Sequence, residues 1–240
     1  MLSFAKGTSA RFFRLTIRST IRSTLLVLLC VVLSACQNLQ NKSEEVLNYE
    51  KSDQDYRAIV ERIKQDSATK EDFDRIIRVY PLTSFYEPQN KREQATKLMS
   101  QNYMERQYWQ LCLDTNYQLL KLNYTSLTGH YGAAMCATEL GNLKLGRFHN
   151  KIVDNFIEAV WRTGSGQSPQ SPFYITSVND LYAFVQLHQL VAVGQSLTYV
   201  NDLPIQAIRV QNPETRRTFT WYFDVTPQFR RGVIDGIENR

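Results

Sequence analysis

The feature that most constrains this chain is a change in the period of its apolar residues. Tyr56, Ile59, Val60 and Ile63 fall at i, i+3, i+4 and i+7, and Phe73, Ile76, Ile77 and Tyr80 repeat that spacing. Such a stripe is the buried face of an amphipathic helix. Thr69 with Asp72 reads as a capping box variant, and Pro81 stops the helix it opens. Asn90 followed by Glu93 opens a third helix. Further helices are predicted near 105–122, 127–140 and 143–162. Their stripes are Tyr108/Leu111/Cys112/Thr115/Leu119, Ala133/Cys136/Ala137/Leu140 and Leu145/Phe148/Ile152/Phe156/Val160. Gly141-Asn142 is a helix stop followed by a restart.

Gly164 to Pro172 is the sharpest break in composition, rich in Gly, Ser and Pro, and reads as a loop or hinge. Beyond it the period changes. Phe173–Val178 looks like a short strand. Ser177 and Asp180 cap a predicted helix carrying Leu181, Phe184, Val185 and His188. Strand-like runs follow at about 190–200, 203–211 and 216–225, with Asn201-Asp202 and Asn212-Pro213-Glu214 as turns. In the third run Phe219, Trp221 and Phe223 share one face. Thr226-Pro227 then starts a last helix as N-cap and N1. The expected class is α+β, a helical half at 54–163 joined by a 164–172 linker to a helix-plus-antiparallel-meander region at 173–240.

The first 35 residues hold Lys6, Arg11, Arg14, Arg18 and Arg22 and no acidic residue. An uninterrupted apolar run, Leu25 to Leu33, follows. At about 9 residues it is well short of the roughly 20 needed to span a bilayer. Basic start, short apolar run and small residues at its end are the marks of a secretory signal. Leu33-Ser34-Ala35-Cys36 resembles the lipobox of bacterial lipoproteins. That resemblance implies a diacylglycerol on Cys36, cleavage of residues 1–35 and an acylated new amine. Gln37 after the cysteine implies sorting to the outer membrane in a Gram-negative envelope. Residues 36–53 are polar and read as a lipidated tether. Removing the five basic residues of the signal from 28 Lys+Arg leaves 23, equal to the 23 Asp+Glu. The mature chain thus has no excess of cations for nucleic acid. The expected attachment is to the membrane, through the lipid, facing the periplasm.

The helical half resembles tetratricopeptide-type helix pairs, most clearly in the hairpin at roughly 106–141. The order of features is more specific. Phe148-His149 and Phe156-Ile157-Glu158-Ala159-Val160 lead into Thr163-Gly164-Ser165-Gly166. Ile175-Thr176-Ser177-Val178-Asn179-Asp180-Leu181-Tyr182 and a meander around Tyr222-Phe223-Asp224 come next. Over most of residues 54–240 this resembles the bacterial family known as domain of unknown function 4919. It carries no established activity, so the resemblance implies fold and compartment rather than chemistry.

The residues themselves offer little catalysis. His130, His149 and His188 fit no metal-ligand spacing, and satisfied core imidazoles are the expected reading. No motif for a phosphate, a dinucleotide or a hydrolase nucleophile is present, so no cofactor, metal or catalytic residue is assigned. Carboxylates such as Glu71, Asp72 and Asp74 complement a helix dipole. Tyr103, Tyr108, Trp109, Tyr117, Tyr124 and Tyr131 crowd the central helices, as core or as the lining of a groove. If 105–122 and 127–140 pair about a turn near Tyr124, Cys112 and Cys136 lie level, each 12 residues from the turn. A disulfide between them is the expectation, with two buried thiols as the alternative. Two functions remain open. One is a binding or scaffold module for a protein or peptide, the other an envelope hydrolase of cell wall or lipid. For the second, the Gly/Ser/Pro loop, Asn179, Asp180 and Tyr182 would have to meet.

Overall fold

Asn48 opens the first helix, its side-chain oxygen accepting from the Lys51 N–H at 3.0 Å. The computed structural model describes residues 48–87 and 91–231. The expected signal, Cys36, the expected tether up to residue 47 and the expected Asn90 cap lie outside the described residues. Helix α1 (Tyr49–Lys64) starts four residues before the expected end of the tether at 53, because Asn48 supplies a cap. It buries Tyr56, Ile59, Val60 and Ile63. Helix α2 (Lys70–Val79) begins at Thr69, whose N–H donates to Asp72 Oδ2 at 3.1 Å, and the capping box is closed. Asp72 also takes a two-pronged contact from Arg62, at 3.1 and 2.5 Å, which ties α2 back to α1.

Helices α3 (Lys91–Glu105), α4 (Trp109–Leu122), α5 (Leu127–Glu139) and α6 (Leu143–Trp161) follow. Close approach of α4, α5 and α6 needs residues without side chains. A Cβ on Gly132 would sit 2.4 Å from Asn116 Oδ1, and one on Gly146 2.3 Å from Thr138 Oγ1. Asn116 is fully buried and donates to Ser100 Oγ at 2.6 Å and the Cys112 carbonyl at 2.9 Å, linking α3 to α4. Cys112 and Cys136 are joined by a disulfide across the α4/α5 hairpin, their Cα atoms 6.0 Å apart. Closing a loop of this length stabilises a fold by about 3–4 kcal/mol in the chain-entropy model. The α5/α6 junction carries the expected stop and restart. Gly141 has φ +80° and Asn142 accepts from Leu145 N–H at 3.2 Å.

Three stripe positions face outward: Tyr108, Leu111 and Leu140 are 52, 49 and 42 % exposed. Tyr108 and Leu140 are the caps of their helices, beyond the turns that pack. On α4 the buried face runs instead through Cys112, Leu113, Thr115, Asn116, Leu119 and Leu120.

Composition alone suggests a linker at 164–172; in the structure it is a closed turn. Gly166 N–H donates to the Ser171 carbonyl at 2.8 Å, and the Gly166 carbonyl accepts from Tyr222 N–H at 2.9 Å. Gly166 has φ +65°, and a Cβ there would lie 2.0 Å from the Phe173 ring. Its glycine therefore seats Phe173, which is fully buried.

Strand β1 is only Phe173–Tyr174 and pairs parallel with β4 (Thr218–Asp224). Helix α7 (Val178–Leu187) leads to β2 (Val191–Val200) and β3 (Leu203–Gln211). The sheet order is β1-β4-β3-β2, so the antiparallel meander is joined by one short parallel strand and the sheet is mixed. Asn201 and Asp202, at φ 49° and 64°, make the tight turn between β2 and β3. A helical run opens at Thr226, where the Arg231 guanidinium lies 4.6 Å over the Tyr49 ring. The architecture is α+β.

One core serves helices and sheet. Phe173, Phe184, Trp221 and Phe223 make a ring cluster that meets Trp161 at the end of α6. His188 belongs to it. Its Nδ1–H donates to the Phe184 carbonyl at 2.7 Å, leaving Nε2 to accept from the Trp161 indole at 3.0 Å. Because the central helices touch through glycines, Gly132→Ala should lower stability by about 1–3 kcal/mol. Urea denaturation of the variant beside the parent checks this, and an unchanged midpoint would show that Asn116 moves freely.

Candidate functional site

Two polar assemblies stand out, one lining a groove and one sealed in the interior. The groove lies between α1, α4 and α6 and encloses about 820 Å³. Its wall is aromatic. Tyr117 comes from α4, Tyr124 from the α4–α5 turn and Phe148 from α6, with Leu145 and Val60 beside them. Lys64, Lys121, Gln118 and Asp114 supply its polar groups. Lys64 Nζ sits 5.7 Å from the centre of the Tyr124 ring. The groove surface is thus mostly apolar with a few charges, the usual make-up of a recognition site.

Beneath it runs a chain of hydrogen bonds whose direction is fixed. The Tyr124 carbonyl can only accept, so His130 Nε2, 2.9 Å away, carries a hydrogen. In the neutral ring Nδ1 then accepts, and it does so from His149 Nδ1 at 2.9 Å. His149 Nε2 is left to accept from the Tyr117 hydroxyl at 3.4 Å. Both rings are neutral in this arrangement. Burial, and for His130 the neighbouring His149, holds their pKa values down, to about 3 for His130 and about 4 for His149. The pair is a positioning element that orients Tyr117 at the groove and the α4–α5 turn behind it. Each histidine is legible as a core residue; their meeting is not singled out by the sequence. A hairpin turning at Gly141-Asn142 brings positions 130 and 149 only to within about one helical turn of each other along α5 and α6, too coarse a signal to pair them.

The interior assembly centres on Glu93 of α3 and Asp180 of α7, which are 3 and 1 % exposed. Asp180 accepts from Leu127 N–H at 2.9 Å, Ser177 Oγ at 2.9 Å and Thr176 Oγ1 at 3.2 Å. Glu93 accepts from Asn123 Nδ2 at 3.4 and 3.5 Å and from the Asn179 side chain. Burial, with Asp180 nearby, raises Glu93 to about 8. Burial also raises Asp180, though its three donors oppose the shift. The sequence offered Glu93 only as a helix opener. The Tyr56 hydroxyl accepts from Tyr124 N–H at 2.9 Å, and Tyr86 donates to the Thr176 carbonyl at 2.8 Å, so the surrounding phenols are structural too.

Of the residues that a junction site would require, Asn179 and Asp180 come together in this interior cluster. Tyr182 does not join them, since its hydroxyl donates to Gln195 Oε1 on β2. The Gly/Ser/Pro loop closes on Phe173 and Tyr222 instead. Among the described residues no group of three or more His, Cys, Asp or Glu is placed to hold a metal ion.

The two assemblies pull stability in opposite directions with pH. Glu93 binds its proton more tightly folded than unfolded, so its contribution is complete below about 4.5 and lost as pH rises through about 8. The histidines bind theirs less tightly folded, so theirs is present above about 6.5 and lost as pH falls through about 4 and 3. The thermal midpoint should therefore fall between pH 6.5 and 8.5. Glu93→Gln, which mimics the neutral acid, should flatten that limb and leave the acid limb in place. A parent midpoint that is level across this range in differential scanning calorimetry would contradict the assignment.

Neither the curated proteins nor the solved structures include a match to this chain. The family described as Domain of unknown function (DUF4919) matches residues 41–231, and the chain, with its buried Glu93–Asp180 cluster and aromatic groove, belongs to that family.

Proposed function

We propose that the protein is a lipid-anchored binding module of the bacterial envelope, which holds an apolar segment of a protein or peptide partner in the α1/α4/α6 groove. The observation that carries this reading is the groove itself. It presents Tyr117, Tyr124 and Phe148 on a rigid frame, and Tyr and Trp faces give large contact area at small entropic cost. The histidines beneath it are engaged with one another and with Tyr117 and Tyr124, so they serve to hold the wall in place. Lys121 favours a segment that carries an acidic side chain beside its apolar ones, since Lys64 is already paired with Glu61 at 2.7 Å. The tetratricopeptide-like reading of α4 to α6 agrees with this use, since paired antiparallel helices offer concave faces to peptides.

Export and anchoring rest on the N-terminal charge pattern, the short apolar run and Leu33-Ser34-Ala35-Cys36. The Cys112–Cys136 disulfide agrees with an oxidising compartment outside the cytoplasm. No helix of the described residues is long and apolar enough to cross a membrane; attachment through a lipid on Cys36 rests on the N-terminal sequence pattern. In a Gram-negative envelope, Gln37 favours the outer membrane as its destination.

Two experiments test the reading. In cells fed labelled palmitate, the parent should take up label and Cys36→Ala should not; label retained in the variant would remove the anchor. For the groove, a photo-crosslinking side chain at position 117 or 148 should capture one discrete envelope protein, and the same group at Glu214 should not. Lys121→Glu should cut that capture by about tenfold, as loss of a favourable charge pairing requires. Equal capture from all three positions, or none, would set the groove aside as a binding surface.

A further inference from the structure

Strand β2 ends the sheet, and among the described residues nothing pairs with its outer edge. Such edges are ordinarily protected by charge, proline, shortness or a bulge. Of these, this one has only a bulge near its start, between Ala192 and Gly194. From Leu181 to Asn201 the chain contains no Asp, Glu, Lys or Arg and no proline, and β2 is ten residues long. Its apolar side chains are also uncovered, with Leu197 41 % and Tyr199 60 % exposed.

We propose that this edge pairs antiparallel with the same strand of a second copy, making one continuous sheet across a two-fold axis. The register follows from the strand. A bulge interrupts β2 between Ala192 and Gly194, and the Asn201-Asp202 turn ends it on the other side. The regular run is therefore 194–200, and Leu197 is its centre. In a two-fold antiparallel pair the residue on the axis faces itself and opposite residues share a face. With Leu197 on the axis, Leu meets Leu and Ser196 lies opposite Thr198 of the second copy, hydroxyl beside hydroxyl. Gly194 lies opposite the bulkier Val200, and Gln195 opposite Tyr199. Small faces large, like faces like, and no charge is repeated across the axis. A foreign strand would need that pattern by chance; a second copy has it by symmetry. The run spans roughly 24 Å, enough to order the exposed row of β2.

The purified full chain tests this. Leu197→Cys places two thiols on the axis and should form a reducible covalent dimer under mild oxidation, absent from the parent and from Glu214→Cys. Leu197→Lys and Leu197→Glu should each weaken association at least about tenfold in sedimentation equilibrium, by placing like charges in contact. Mixing the two should restore it, an outcome that mere misfolding of either variant would not give. A parent that stays monomeric at all concentrations, a mixture that fails to re-associate, or a Leu197→Cys adduct to a different protein would each overturn the proposal.

Discussion

The structure hangs on a buried carboxylate. Asp180 accepts from the first turn of α5 through Leu127 N–H and from the two hydroxyls that precede its own helix. A desolvated carboxylate costs several kcal/mol unless donors replace its water. Here Leu127 N–H, at the N-terminal end of α5 and 53 residues from Asp180, meets Oδ1, while the Thr176 and Ser177 hydroxyls meet Oδ2. Moving α7 relative to the α4–α5 turn would strip Asp180 of those donors. That condition sets the register between the helical stretch and the sheet that α7 introduces. Glu93 adds α3 to the arrangement through Asn123 and Asn179. A polar joint of this kind specifies one arrangement where an apolar contact alone would permit sliding.

Local structure was legible to the degree that local chemistry determines it. The period-3.6 stripes of α1 and α2, the Thr69–Asp72 box, the Ser177 cap and the Asn201-Asp202 turn each follow from residues within one or two turns of chain. The edges of stripes were less so. Leu111 and Leu140 obey the period yet face solvent, because periodicity says which residues share a face and not how far the neighbouring element extends. The Gly164–Pro172 turn shows the limit more sharply. Its composition announces irregular backbone, while its bonds to Tyr222 and its contact with Phe173 depend on a strand some fifty residues later. The Glu93–Asp180 cluster is long-range in the same sense, and a lone Glu in the first turn of a helix carries no mark that it will be buried.

The aromatic residues divide by what happens to their polar ends. Tyr56 and Tyr86 bury both ring and hydroxyl, and each hydroxyl finds a backbone partner. Tyr117 is half-buried, anchored at the His149 end and open to the groove on the other. Sequence composition gives the same letter for both uses. The histidine pair is what makes the second use rigid, since its hydrogen-bond direction leaves Tyr117 a single acceptor to satisfy.

The contact between Tyr49 and Arg231 has a topological consequence. The first turn of α1 and the helical run after β4 touch, so the two ends of the described residues lie at one place. A fold whose path closes on itself in this way tolerates being cut elsewhere and rejoined there. A circular permutant opened in the exposed Pro213–Thr215 turn, with a short Gly/Ser bridge across the old ends, keeps every helix and strand intact. For the same reason the unit can be spliced into a surface loop of another protein without stretching either partner.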